Sequence, residues 1–334
     1  MLTRIVTVTA TGLALASPAA ADEMSINFTL DWSFEGPAAP YFLAIDNGHF
    51  ADQGLDVEIS AGEGSLDAIP KVASGAYPIG FADMASMIKF LDANEGAPVT
   101  AVMMIYDAPA FAIVGRHSLG VSEPADLEGR TLGAPPPDGA WAQFPAFASA
   151  NDLDVDAITV EEVGFPTREP MLAQGNVDAI TGFSFTSFLN LRRQGVDEDD
   201  ISVMQMSDYG LELYGNAIIV NTDFAEENPE AVTGFLTAVV EGVRDTIADP
   251  ESGVAAIAER NPAIDEALEI ERLELALDNN IVTDWVREHG IGGIDADRFA
   301  RALEQIEETH DFQRDPAPEL YFTSEFLPED RMLD

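Results

Sequence analysis

Polar and aromatic side chains stand directly after several short apolar runs in the first third of the chain. Trp32 follows the first such run, Gly64-Ser65 follow the second, Asp83 the third and Tyr106 the fourth. An indole can stack on a flat ligand, a serine at a helix start can hold an oxygen atom, and an aspartate can pair with an amine. The same residues also suit packing and helix capping, so both interpretations stay open.

The second third of the chain repeats this arrangement. Asp138 occupies a Pro-Asp-Gly turn, Arg168 stands near the start of a helical pattern, and Phe183-Ser184 follow another apolar run. Tyr214 lies just before a run that leads back to the first part. A guanidinium at such an edge can clamp a carboxylate, although an exposed or aspartate-paired arginine is the alternative.

Together these residues predict a ligand site that is aromatic and acidic, with Tyr41 as a further aromatic member and Arg168 as the cation. The carboxylates that we expect nearby are Asp31, Glu35, Asp83, Asp107 and Asp138. A buried carboxylate needs a partner or it protonates. We therefore expect a flat or amphiphilic ligand with a donor group, such as an amine, an amide or a heterocycle.

Motifs for catalysis are not found in the sequence. The four histidines, His49, His117, His289 and His310, show no H-E-x-x-H spacing and no pairing with a G-x-S-x-G serine. The chain has no cysteine, which excludes disulfides, thiolate metal sites and a cysteine nucleophile. It also lacks a G-x-x-x-x-G-K-[ST] loop for ATP. We expect a binding protein without metal or cofactor, and an enzyme of the same fold is the alternative.

The charge composition excludes further classes of function. The 334 residues include 16 basic and 60 acidic ones, which gives a net charge of −44. A surface that binds nucleic acid or an anionic membrane needs clustered lysine and arginine. We therefore expect neither a nucleic-acid-binding protein nor a protein that adheres to anionic membranes. Acidic residues are spread along the chain, which is typical of a solvated surface in salty surroundings.

The first 21 residues have the features of an export signal. Arg4 is followed by an apolar stretch, Ile5–Ala16, and by Ala19-Ala20-Ala21 before the polar Asp22. The apolar stretch is too short for a membrane anchor. We predict cleavage after Ala21 and a soluble, monomeric protein in the periplasm.

After this segment, strands and helices alternate, as in α/β proteins with parallel sheets. The predicted strands of the first part are Ser25–Leu30, Leu55–Ile59, Ile79–Ala82 and Val99–Ile105; those of the second part are Thr131–Gly133, Thr159–Val163 and Val177–Thr181. Ala112–Val114 and Ala217–Val220 would cross between the parts as hinge strands. We predict two lobes around a cleft: residues 22–112 with 218–334 form lobe 1, and residues 113–217 form lobe 2.

Several motifs occur in an order that resembles a known family. They are Leu30-Asp31-Trp32, Gly36-Pro37, Gly48-His49-Phe50, Gly54-Leu55-Asp56-Val57, Gly62-Glu63-Gly64-Ser65, Ile79–Asp83, Leu127–Gly133 and Leu172–Ile180. The sequence is similar to the periplasmic substrate-binding proteins of ABC importers, in the branch that binds thiamine pyrimidines, alkanesulfonates, taurine and nitrate. The similarity covers most of residues 24–250.

The resemblance implies a two-lobed type II fold that captures a small organic molecule and delivers it to a membrane permease with a separate ATPase subunit. Two departures bear on the ligand. Ser33–Pro37 differ from the residues that pyrimidine binders carry there, and Asp138 stands where the family often has small hydroxyl residues that hold an oxyanion. Fungal pyrimidine synthases resemble this fold too, but they depend on a cysteine-rich motif, which this chain lacks.

Overall fold

Two five-stranded mixed sheets, with helices packed around them, form the protein. The computed structural model describes residues 23–333. The predicted export signal therefore lies outside the described residues. The order of strands is β2-β1-β3-β10-β4 in the first sheet and β7-β6-β8-β5-β9 in the second.

The strands of the first sheet are β1 (Met24–Thr29), β2 (Leu55–Ser60), β3 (Ile79–Asp83), β4 (Val99–Met104) and β10 (Asn216–Asn221). Those of the second sheet are β5 (Phe111–Arg116), β6 (Thr131–Ala134), β7 (Thr159–Glu162), β8 (Ala179–Phe183) and β9 (Ile201–Gln205). The predicted strands are found within one or two residues, and β9 is an additional strand.

Each sheet has one strand that runs against its neighbours. β10 is antiparallel to β3 and β4, and β5 is antiparallel to β8 and β9. The two predicted hinge strands are thus central strands of the sheets, and the chain crosses in the segments that precede them. The expectation of purely parallel sheets is wrong at these two strands, because a strand that enters from the other lobe arrives with the opposite direction.

Seven α-helices lie between Ala39 and Arg193 in the described part of the chain. They are α1 (Ala39–Asp46), α2 (His49–Asp52), α3 (Ser65–Ala73), α4 (Met84–Ala93), α5 (Gly139–Ala150), α6 (Phe165–Gln174) and α7 (Ser184–Arg193). After β10 the chain is helical: α8 (Thr222–Glu227), α9 (Pro229–Ala248), α10 (Pro250–Arg260), α11 (Glu266–Ala276), α12 (Asp284–His289) and α13 (Ala296–Glu307). Helix α6 begins three residues before its predicted start, because Pro166 suits the first turn of a helix.

The C-terminal helices complete the first lobe. Helix α9 packs along α1, where Gly242 allows a close approach: a Cβ there would lie 2.1 Å from the Pro40 carbonyl oxygen. The residues before the C-terminus cover the edge strand β4, since Phe322 forms a bridge with Ala101. The apolar core of this lobe is built from β1, α1 and α9, with Phe28, Phe42 and Phe235 fully buried.

Candidate functional site

Two small adjoining cavities lie between the lobes, at the carboxyl ends of the strands of both sheets. Their volumes are about 30 and 40 Å³, and we call them the inner cavities. Four residues line both: Asp31, Trp32, Phe183 and Thr186. The first cavity is also lined by Gly64, Ser65, Asp138, Gly139, Phe165 and Arg168. The second is also lined by Leu30, Ser33, Glu35, Pro37, Ala38, Tyr41, Phe81, Tyr106 and Phe185.

Asp31 is the buried carboxylate on the lobe 1 side. Its Oδ2 accepts hydrogen bonds from Asn216 Nδ2 at 2.6 Å and, more weakly, from Ser65 Oγ at 3.4 Å. Burial raises the pKa of Asp31 to about 7, against the opposing effect of these bonds. Asp31 is therefore poised between its two protonation states near neutral pH, where a ligand that donates a hydrogen bond would stabilise the ionised form.

Ser65 and Asp83 are bonded to each other rather than left free. The Asp83 backbone N–H donates to Ser65 Oγ at 3.0 Å. The Asp83 side chain caps α4 by accepting from the N–H groups of Ala85 and Ser86. Burial raises the pKa of Asp83 to about 6. Ser65 lines an inner cavity, but Asp83 lies behind the wall and acts as the helix cap that was the alternative interpretation.

On the lobe 2 side, Asp138 and Arg168 form a buried charged group with Glu169. Asp138 accepts a hydrogen bond from Thr181 Oγ1 at 2.9 Å, and Arg168 Nη1 lies 3.7 Å from its Oδ2. Burial raises the pKa of Asp138, although Arg168 opposes that shift. Arg168 donates through Nε and Nη2 to Glu169 Oε1, at 2.9 and 2.6 Å. Only Nη1 of this guanidinium is left without a close hydrogen bond among the described residues.

Burial alone would lower the pKa of Arg168, but the negative charges of Glu169 and Asp138 raise it instead. The guanidinium therefore stays charged in the cavity wall. Asp31 and Asp138 in the lining, together with Glu169 beside Arg168, outnumber the guanidinium, so the lining and its immediate surroundings carry excess negative charge when all three acids are ionised. Such a lining disfavours a simple anion and favours a ligand with N–H donors or positive charge.

An aromatic pair closes the inner cavities on one side. Trp32 of lobe 1 meets Phe165 of lobe 2 edge to face, with ring centroids 4.4 Å apart. The Trp32 indole Nε1 is buried and has no acceptor among the described residues. Beyond this pair lies an outer cavity of about 490 Å³, also lined by both lobes. A ligand that displaced the Trp32–Phe165 contact would pass from the outer cavity to the inner cavities.

The remaining aromatic residues form the wall of the second inner cavity. Tyr106 packs against Phe183 at 6.4 Å and Phe81 at 5.3 Å between ring centroids. Tyr41 packs on Phe28. Burial raises the pKa of both tyrosines well above 10, so both phenols remain neutral donors or acceptors.

Besides Asp83, two further predicted site residues, Ser184 and Tyr214, do not line the inner cavities. Ser184 is the first residue of α7 and lines a separate surface groove with Phe188 and Asn279. Tyr214 lies under the guanidinium of Arg298, and its hydroxyl accepts a hydrogen bond from the Asp295 N–H at 2.7 Å. Burial raises the pKa of Tyr214 to about 12. The Tyr214 side chain therefore serves packing against Arg298.

Phe165 and Thr186 are among the lining residues that the sequence patterns did not indicate. Phe165 was passed over because α6 was expected to begin at Arg168, although Gly164-Phe165-Pro166 carries the proline signal of a helix start. Thr186 lies in α7, a helix rich in serine, threonine and phenylalanine that sequence patterns indicate poorly.

Within residues 23–333, no cluster of three or more histidine, cysteine or acidic side chains is arranged to hold a metal ion. The histidines contact other groups: His49 lies 2.6 Å from Asp245, and His310 lies 2.9 Å from Asp92. None of the four lines an inner cavity of the described part. None of the described helices combines the length and the apolar character that crossing a membrane requires.

Two lobes with crossing strands and a cleft at the strand ends define the periplasmic-binding-protein fold. The structure is similar to the aliphatic sulphonate binding protein SsuA of Escherichia coli, with a TM-score of 0.69, 15% identity, and coverage of 87% of this chain and 94% of that one. It is also similar to SsuA of Xanthomonas axonopodis pv. citri bound to MOPS, with a TM-score of 0.68, 13% identity, and coverage of 89% and 96%. At these identities the similarity shows the fold.

Sequence comparison gives the family. The model described as NMT1/THI5 like matches residues 37–253, well over half of the chain. The chain therefore belongs to the NMT1/THI5-like family, as its motifs indicated.

Its relatives include both binding proteins and enzymes. The riboflavin-binding protein RibY of Chloroflexus aurantiacus is 25% identical over 87% of this chain and 82% of its own length. The formylaminopyrimidine-binding protein of Halalkalibacterium halodurans is 25% identical over 87% of both chains. A 4-amino-5-hydroxymethyl-2-methylpyrimidine phosphate synthase of Saccharomyces cerevisiae is 24% identical over 80% of this chain and 82% of its own length.

Proposed function

We propose that this protein is an extracytoplasmic solute-binding protein that captures a small planar heterocycle between its lobes and delivers it to an ABC-type permease. One observation carries the proposal: buried charged and aromatic side chains from both lobes converge on the inner cavities. The two lobes that close on the ligand are the predicted ones, residues 22–112 with 218–334 and residues 113–217, with their limits moved to Phe111, where β5 enters the second sheet, and to Asn216, where β10 returns to the first.

The ligand class follows from the lining. Trp32, Phe165 and Phe183 offer faces and edges for stacking on a flat ring. Asp31 offers an acceptor, and Trp32 Nε1 and Arg168 Nη1 offer donors. A nitrogen heterocycle that carries both an N–H donor and an acceptor atom matches this set. The two bacterial binding relatives are named for riboflavin and formylaminopyrimidine, which are heterocycles of this kind.

Ligand entry requires the lobes to separate. Inner cavities of about 30 and 40 Å³ are smaller than the roughly 300 Å³ or more of usual small-molecule sites. Opening about the two crossing segments would expose Asp31 and Arg168 to solvent, and closing would bury them around the ligand. This is the hinge motion that binding proteins of two lobes use.

The test begins with the complete chain expressed with its N-terminal segment in a Gram-negative host. We expect the protein in the periplasmic fraction with Asp22 as its first residue, and native mass spectrometry should find one small molecule bound per chain. A protein retained in the cytoplasm would contradict the localisation.

To distinguish a binding protein from an enzyme, the purified complex is incubated at 37 °C and the mass measurement is repeated. A binding protein should release its molecule with the mass unchanged. Conversion of the bound molecule into a product would overturn the proposal in favour of a catalyst, as in the synthase relatives.

A further inference from the structure

Glu35 accepts hydrogen bonds from both lobes through one oxygen. Arg272 Nη1, in α11 of lobe 1, lies 2.8 Å from Glu35 Oε2. Thr186 Oγ1, in α7 of lobe 2, donates to the same atom at 3.1 Å. Since Glu35 belongs to lobe 1, the Thr186 bond exists only while the lobes are closed.

Arg272 makes a second connection across the cleft. Its Nη2 donates a hydrogen bond to Asn190 Oδ1 at 3.1 Å. Asn190 lies in α7, one helical turn after Thr186. The Arg272 side chain is only 1% exposed, and its Nε lies 3.0 Å from Glu269 Oε2. That glutamate oxygen also accepts the Gly36 N–H at 2.7 Å. The arginine is thus held in place by lobe 1 alone, with one N–H group presented to lobe 2.

Thr186 joins this arrangement to the ligand site, because it lines both inner cavities. It stands on the same helix as Asn190, which lines the outer cavity but neither inner one. A ligand that fixes the position of α7 therefore also aligns Thr186 and Asn190 with their lobe 1 partners. We call Glu35, Thr186, Asn190 and Arg272 the closure cluster.

We propose that Thr186 and Asn190 are positioning residues that, through Glu35 and Arg272, set the balance between the open and closed forms. The biological role of this balance rests on the proposed function. The ratio of open to closed forms can be measured without any ligand. When the lobes open, Glu35, Glu269 and Arg272 still pair with one another, so no buried charge is left without a partner of opposite charge. The cluster therefore favours closure without making opening prohibitive.

The closing experiment uses the absence of cysteine from the chain. Nitroxide labels on Glu63→Cys in lobe 1 and Glu162→Cys in lobe 2, both exposed, report the distance between the lobes by electron paramagnetic resonance. The protein is measured as purified and after its bound molecules have been removed by unfolding and refolding.

Thr186→Val removes the hydroxyl while keeping the shape, and Thr186→Ser keeps the hydroxyl. Asn190→Ala removes only the acceptor of Arg272. We expect Thr186→Val and Asn190→Ala each to shift the closed-to-open ratio by about tenfold toward open, the value of one hydrogen bond to a charged group. Thr186→Ser should match the wild type. Thr237→Val in α9, whose hydroxyl bonds only to the Thr233 carbonyl, controls for the substitution itself.

Unchanged distance distributions in both variants, in both preparations, would overturn the proposal. If Thr186→Val failed to fold, Asn190→Ala would decide alone, since its side chain is half-buried. Failure of the proposed function would look different: native mass spectrometry would find no bound molecule, while the variants could still shift the distances. Release of a bound molecule about tenfold faster from Asn190→Ala would support action through closure, because this residue does not line the inner cavities.

Discussion

Gln143 Nε2 donates a hydrogen bond to Asp83 Oδ2 at 3.0 Å, and this bond joins the two lobes beside the inner cavities. Gln143 lies in α5 of lobe 2, and Asp83 ends β3 of lobe 1. Lys89 reaches the same amide, since its Nζ donates to Gln143 Oε1 at 3.0 Å. Asp83 therefore caps α4 and also binds lobe 2 through Gln143. These hydrogen bonds explain why a buried acid is found at this position although it does not line an inner cavity.

Asp83→Ala should lower stability. The substitution removes the cap of α4 and leaves Lys89 and Gln143 without their acidic neighbour, so we expect the free energy of unfolding to fall by about 1–2 kcal/mol. Urea unfolding at pH 7.5 measures the change. Asp83→Ser restores the capping oxygen and should recover most of the loss. Equal midpoints for Asp83→Ala and the wild type would contradict the capping role.

Asp31 should make the protein less stable as pH rises. Its pKa of about 7 in the folded protein lies above the usual aspartate value of 3.8, so between these two pH values the folded state binds a proton that the unfolded chain has lost. The contribution of this group to stability is present at acidic pH and is lost progressively between about pH 4 and 7. Across that range the loss should reach roughly 2–4 kcal/mol.

Asp31→Asn removes this titration while keeping an acceptor for Asn216. We expect the stability of the variant relative to the wild type to rise from pH 5 to about pH 7 and to stay constant above it. Urea unfolding of both proteins from pH 5 to 8.5 gives the comparison, in which the titration of Asp83 largely cancels. Parallel curves over the whole range would argue against an elevated pKa for Asp31.

Trp32→Ala should weaken ligand binding by more than about tenfold with little loss of fold, because the indole lines all three cavities of the cleft. The readout is the fraction of protein that retains the co-purified molecule in native mass spectra after dialysis. Trp285→Ala is the matched control, since this indole stacks on His289 away from the cleft. Equal retention by Trp32→Ala and the wild type would exclude Trp32 from the site.

Gly64→Ala should hold the cleft open. A Cβ at this position would lie 2.5 Å from the Pro137 carbonyl oxygen of lobe 2, and the residue has φ +109°. Gly96→Ala is a useful control because Gly96 has φ +75° and nothing within 4 Å of its added Cβ. Both variants therefore carry the strain of a positive φ, which is greater at Gly64 because its ψ is 157°, but only Gly64→Ala meets the opposite lobe.

We expect small-angle X-ray scattering to give a larger radius of gyration for Gly64→Ala than for the wild type, and no change for Gly96→Ala. An increase in both variants would point to backbone strain rather than to a contact between lobes.

The sequence alone determined the elements and where polar residues follow them. Hydrophobic periodicity depends on each segment by itself, so the strands from Met24 to Met104 and the helix Pro229–Ala248 are readable without tertiary contacts. The carboxyl ends of such strands meet at one edge, which is why Trp32, Ser65, Asp138, Arg168 and Phe183 were identified and do lie around the inner cavities.

Tertiary structure decided which side chains face the cleft and how the lobes meet. Ser184 and Thr186 are two positions apart on α7, so they point in different directions, and only the packing of that helix puts Thr186 at the cavity. Glu35 and Arg272 are 237 positions apart, and no local pattern pairs them. Their contact depends on α11 folding back over lobe 1, whereas the bonds of Glu35 to Thr186 and of Arg272 to Asn190 depend on lobe 2 closing against lobe 1. Both are properties of the whole chain.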